Sequence, residues 1–220
     1  MKTNNMLEQK LRRWHDVITN RPHDPQAYVQ RGMVHFQLGN INGSIADFDM
    51  AEKLDPRLTP YLWQRGLSYY YAGRFAEGVK QFEADLTVNF QDVEETVWRY
   101  LCIAQADGVT VARECLLEVK NDPRLVMGRV YDLYAGRCSP DILIQVSKNA
   151  NQRNIFYTYL YVGLYFEAEK QLELAQEYIN QAVSTKIDDY MWYVACVHQK
   201  LRAIQDHVSD CNESQGNYQG

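Results

Sequence analysis

Proline is scarce in this chain of 220 residues: there are six, none between 61 and 122 and none after 140. Stretches of that length without a helix breaker let helices run on. Alternating Val, Ile and Thr runs joined by Asn-Gly turns are missing, which argues against a sheet protein. No apolar run approaches the roughly 18–20 residues of a membrane helix. Met1–Lys10 is polar and charged, with neither the apolar core of a signal peptide nor a cysteine for lipid attachment. Cysteine is sparse and odd in number, at 102, 115, 138, 196 and 211, with no CxxC. That argues against a disulfide framework and reads as reduced thiols in a reducing compartment, the cytoplasm, or an organelle interior if a targeting segment was removed. Positive charge is in deficit: 23 Lys and Arg against 28 Asp and Glu give a net charge of −5. A nucleic-acid coat or an anionic membrane as main partner would need a basic face.

What is present is ordinary for a globular protein, with 46% hydrophobic and 23% charged residues, enough for one to two domains. The proline-free stretches are rich in Leu, Ala, Gln, Glu and Tyr, and the chain reads as all-helical. Within it a pattern recurs every 34 residues. Arg31-Gly32 returns as Arg65-Gly66, Leu38-Gly39 as Ala72-Gly73, Phe48 as Phe82 and Leu54 as Val88. A third copy has Tyr159, Gly163, Phe166, Ala175, Ile179 and Ala182 in the corresponding places. A 34-residue period of two helices resembles the tetratricopeptide repeat (TPR). With Gly32 at repeat position 8, small residues at 8, 20 and 27 let the helices of a hairpin approach, and large ones at 4, 11 and 24 fill the gaps between hairpins. At Gly66 and Gly163, Leu is expected to force the helices apart and Ala to be tolerated.

The expected fold is thus an α-solenoid of TPR-type hairpins, one domain over residues 1–208. Clear repeats lie at about 25–56, 57–90 and 156–187, and two irregular hairpins over 91–155 are five residues short in total. These turn at Asp107-Gly108 and at Gly136, and Ser139-Pro140-Asp141 has the form of a helix start. Stripes at Leu7, Leu11, Trp14 and Ile18, and at Tyr190, Val194, Val197, Leu201, Ile204 and Val208, mark flanking helices, the second a cap over 189–208. Residues 209–220 read as a disordered tail.

The irregular middle, with Tyr70-Tyr71-Ala72-Gly73-Arg74, Val97-Trp98-Arg99-Tyr100-Leu101, Val130 to Gly136, Phe156-Tyr157 and Gly163-Leu164-Tyr165, resembles the NlpI-type small TPR proteins. The resemblance implies a non-catalytic adaptor, often a homodimer, that holds hydrolases or a protease near their substrates.

Repeat positions 2, 5, 6, 9, 12 and 13 line the concave face of such an array. Here they offer Met33, Phe36, Trp63, Leu67, Tyr70, Tyr71, Leu160, Tyr161 and Leu164 as a partner-binding set. This aromatic and aliphatic lining suits an apolar or amphipathic segment; the competing reading fills the face by tight winding of the superhelix or with the protein's own capping helix. Lys at position 5 and Asn at position 9, which clamp a peptide carboxylate in some TPR proteins, are replaced by Val29 and Met33, then Trp63 and Leu67. Arg31 and Arg65 are expected to pair with Asp47 and Glu83 of their own hairpins, and His35 at position 11 to be a packed core histidine. Glu94-Glu95 and Asp188-Asp189 each open a helix, where the dipole favours acids. No metal-ligand spacing, nucleophile motif or phosphate loop occurs, so neither an enzyme nor a cofactor is expected. Two readings follow: a scaffold for a protein or peptide partner, or a self-associating structural protein whose homodimer is the functional unit.

Overall fold

Each helix starts and stops where the local chemistry requires it. The computed structural model describes the backbone of residues 2–120 and 122–216 and the side chains of 4–120 and 122–203. Helix α1 (Lys2–Asn20) leads into the first hairpin, α2 (Pro25–Gln37) and α3 (Ile41–Leu54). Asp24 caps α2, accepting from the Gln26 and Ala27 N–H groups, with Pro25 at the first helical position where no N–H is needed. Gly39, at φ 79°, turns the chain into α3, which Asn40 caps through Gly43 N–H.

The second hairpin begins as a 3-10 turn, Pro56–Tyr61, before α4 (Trp63–Tyr71) and α5 (Phe75–Leu86). Pro60 lacks an N–H and disfavours helical backbone at Thr59, so the α-helix starts only beyond it. The third hairpin is α6 (Val93–Asp107) and α7 (Val109–Glu114), hinged at Gly108 (φ 93°); the fourth is α8 (Leu125–Tyr134) and α9 (Pro140–Ser147), with Gly136 at φ 71°. Ser139 takes the N-cap place of α9, but its hydroxyl makes no capping bond. The fifth is α10 (Gln152–Ala168) and α11 (Leu172–Thr185), followed by α12 (Tyr190–Gly216). Helix α12 runs past the stop expected at 208; residues 217–220 of the expected tail lie outside the described residues, as do the side chains of Ile204 and Val208. No strand occurs among the described residues, and no helix there is long and apolar enough to cross a membrane.

Small residues sit where helices cross. A Cβ on Gly66 would lie 2.6 Å from the Phe82 ring, and one on Gly163 2.9 Å from Ile179. Ala is therefore crowded there as well as Leu, contrary to the expectation from the repeat pattern. In the third hairpin the fully buried Tyr100 takes the place of these glycines, and its ring meets Tyr134 edge-on at 5.1 Å.

A ladder of arginines ties the first three hairpins together. Arg31, Arg65 and Arg99 are 34 residues apart, and each guanidinium reaches 16 residues forward and 16 back. Arg31 grips Asp47 with Nε and Nη2 (2.8 and 2.7 Å) and turns Nη1 to His15 (3.4 Å). Arg65 donates to Gln81 (2.7 Å) and back to Asp49 (3.2 Å), and adds Glu52 (2.8 Å). Arg99 donates forward to the Cys115 carbonyl (2.8 Å) and back to Glu83 (2.9 Å). The expected pairing holds for Arg31 but not for Arg65, whose expected partner Glu83 serves the next rung. Arg99 shows that the third hairpin begins in register, and the hairpin turns at Gly39, Gly73, Gly108, Gly136 and Lys170 place the shortening between Gly108 and Gly136. His35 is only half-buried, between Asp47 and Asn40.

The four described cysteines at 102, 115, 138 and 196 are free thiols.

Candidate partner-binding site

The concave face is built by α2, α4, α6, α8 and α10, and α12 lies along part of it. The inner half of α12 is core: Met191, Val194, Ala195, Val197 and His198 are buried. One side packs on α11, where Trp192 Nε1 donates to the Val183 carbonyl (2.9 Å). The other side crosses to the opposite end of the array. Tyr190 stacks on Phe36 at 6.0 Å and meets Trp63 edge-on at 5.4 Å, and the Lys200 ammonium donates to the Leu38 carbonyl (3.1 Å). Of the nine residues expected to bind a partner, Phe36, Leu67, Tyr70, Leu160, Tyr161 and Leu164 are buried, while Met33, Trp63 and Tyr71 keep partial exposure. Phe36, Tyr70, Tyr71, Trp98 and Tyr190 form one run of ring contacts; Tyr161 stacks on Tyr157 farther along.

Where α12 passes α10, a polar node closes the apolar seam. Glu167, 5% exposed, accepts from the Tyr70 hydroxyl (2.5 Å) and from Arg202 Nε (2.5 Å), with His198 Nε2 at 3.6 Å. His198 Nδ1 lies 3.2 Å from the Tyr71 hydroxyl, and the Arg202 guanidinium stands 5.9 Å from the Tyr71 ring centre. Burial pushes the His198 pKa down to about 4, so the ring is neutral at pH 7. Burial pushes the Glu167 carboxyl up, but the Arg202 charge and the hydrogen bonds from Tyr70 and Arg202, joined by His198 only once that ring is protonated, outweigh this and hold it below its ordinary value. Nothing in a linear pattern pairs Glu167 with Arg202, 35 residues apart on two helices.

A second node sits at the entry of α6. Glu94 accepts from Arg124 (2.5 Å) and from the Tyr161 hydroxyl (3.0 Å), while Asp92 caps the helix through Glu95 N–H. Asp189 receives the Met191 N–H, the Tyr157 hydroxyl (3.2 Å) and Arg153. Glu94 and Asp189 thus stand at helix starts, as expected of the paired acids, and each also accepts from a tyrosine of α10. Among the described residues no group of three or more His, Cys, Asp or Glu is placed to hold a metal ion.

Beside α12 a cleft of about 600 Å³ opens between α11 and α12, reached by Phe75 of α5, Gln105 of α6 and Glu167 of α10. Phe75, Ala175 and Ile179 form its apolar floor, Glu167, His198 and Arg202 one wall, and the amides of Gln105, Gln176, Asn180 and Gln199 its rim. Lys170, at the mouth, donates to Gln105 (2.9 Å).

The tetratricopeptide repeat family model matches residues 25–58, in the register given by Gly32 at position 8. Residues 25–58 are a tetratricopeptide repeat. The TPR-type stack of packed helix pairs extends from it through α11. The protein SGT1 homolog of Bos taurus is 26% identical over 92 residues, 42% of this chain. The chain spans 27% of that relative's length.

Proposed function

We propose that the chain is a non-catalytic scaffold that holds a protein or peptide partner along its concave side. The observation that carries this reading is the cleft beside α12 in a TPR-type stack. Its floor is apolar, and four amide side chains at its rim can each donate to and accept from a peptide backbone. Leu172, 60% exposed at the mouth, supplies an apolar anchor. Of the nine residues expected to bind a partner, Met33, Trp63 and Tyr71 remain partly exposed, and Phe36 is covered by Tyr190 of α12. The resemblance to the NlpI-type adaptors supports the same kind of work.

The test is parallel affinity capture from a native extract with the wild type, Leu172→Asp and Trp63→Ala. A partner retained by the wild type and reduced at least tenfold by Leu172→Asp, at unchanged melting temperature, is the expected result. Loss with Trp63→Ala alone would move the site to the edge of α12. Equal retention by all three would overturn the concave-side reading.

A further inference from the structure

The arginine ladder is regular except at its first rung. Arg65 and Arg99 each find a carboxylate 16 residues back, Asp49 and Glu83. At Arg31 that place belongs to His15 of α1. Asp47 engages Nε and Nη2 of Arg31 and fixes the guanidinium plane, so Nη1 faces α1 and its imidazole; on the other rungs the carboxylate stands 16 residues back and the forward partner is neutral, the Gln81 amide or the Cys115 carbonyl. A pocket of about 460 Å³ opens at this point, lined by Leu11, Arg12, His15, Asp16, Arg31 and His35. It shares no residue with the cleft beside α12.

We infer that this pocket is a carboxylate-binding site, in which a partner's acidic group takes the place that Asp49 and Glu83 hold on the later rungs. Arg31 supplies a pre-oriented donor, and a fixed guanidinium fork suits a carboxylate better than a mobile ammonium does. Arg12 adds a second positive charge at the mouth, and His15, whose Nδ1 faces Arg31, can present an N–H at Nε2, while His35 is held between Asp47 and Asn40. Asp47 is occupied by Arg31, which leaves Asp16 as the pocket's opposing negative charge and directs the ligand to the Arg31–His15 side. Leu11 offers an apolar contact for the carbon chain of the ligand. The site differs in place from the position 5 and 9 clamp, which this chain lacks.

The experiment is NMR titration of the full chain, following the His15 ring and Arg31 Nε–H signals. The probes are N-acetylglutamic acid α-amide, with only a side-chain carboxylate, N-acetyl-diglycine, with only a terminal one, and N-acetylglutamine amide, with neither. One or both carboxylates should shift the two residues saturably, and which of them does so identifies the source; the neutral amide should leave them in place. His15→Asp places an acid inside the rung. It should weaken the carboxylate response of Arg31 at least tenfold and raise the melting temperature by up to about 4 °C, the scale of one added ion pair. Arg12→Gln should weaken binding without changing the fold. Shifts produced equally by the amide, no shifts with either acid, or undiminished binding in His15→Asp would each overturn the assignment.

Discussion

Single residues set how closely the hairpins approach. Gly66 faces the Phe82 ring, itself buried, so any Cβ must displace a packed aromatic. Gly128, within α8, has nothing within 4 Å of its Cβ position. Two changes of identical chemistry should therefore have opposite signs. Gly66→Ala should destabilise by about 1–3 kcal/mol, the usual range for overpacking. Gly128→Ala should be neutral or stabilise by up to about 1 kcal/mol, through helix propensity and a less flexible unfolded chain. Urea unfolding of the two variants beside the wild type checks this, and equal effects would mean that the Gly66 crossing is looser than its geometry indicates. The sequence revealed that Gly66 must be small, because period and position show it. How small depends on the distance to Phe82, which no period carries.

At the scale of elements, the join between the second and third hairpins holds acids that the helix pattern does not explain. Asp85 of α5 is 1% exposed and accepts from Gln81 Nε2 (2.8 Å), and burial pushes its pKa up to about 7. Glu95 of α6 is raised to about 8 by burial and by the nearby charges of Asp92 and Asp85. A carboxyl raised in the folded state adds stability below its unfolded pKa of about 4, and that contribution is lost as pH rises through the folded value. Asp85→Asn keeps an acceptor for Gln81 and removes the charge. Relative to the wild type it should gain on the order of 3 kcal/mol between pH 5 and pH 8. Thermal melts at the two pH values measure this, and a gain independent of pH would reject burial as the cause. The order of these helices was legible in the repeat pattern, but Asp85 and Glu95 carry no linear mark of buried acids. Arg99 was readable: it stands 34 residues after Arg65, and that spacing alone places the third hairpin in register. The cap stripe was readable too, since Tyr190, Val194 and Val197 follow helical spacing. Its landing on Phe36 and Trp63 was not, because that depends on how far the array curves between α2 and α12, which no helical spacing carries.

Across the whole molecule, α12 alters what a solenoid ordinarily is. A stack in which each repeat touches only its neighbours unfolds from its ends and divides its stability among local interfaces. Here the last helix touches the first hairpin, through Tyr190 on Phe36 and Lys200 on the Leu38 carbonyl, and touches the second through His198 on Tyr71. Contacts between residues some 150 positions apart couple the two ends, so fraying one end must also break contacts at the other. Tyr190→Ala removes the ring that joins α2, α4 and α12 while leaving Met191, Val194 and Ala195 to pack on α11. The expected loss is about 2–4 kcal/mol, somewhat under that of a fully buried aromatic because Tyr190 keeps partial exposure. Its location is the more informative result. In native-state hydrogen exchange, protection should fall in α2 and α3 as well as in α11 and α12, because both ends open in one step. Lowered protection confined to α11 and α12 would show that the helix caps its own hairpin alone, and that the array behaves as an open solenoid despite the contacts that bridge it.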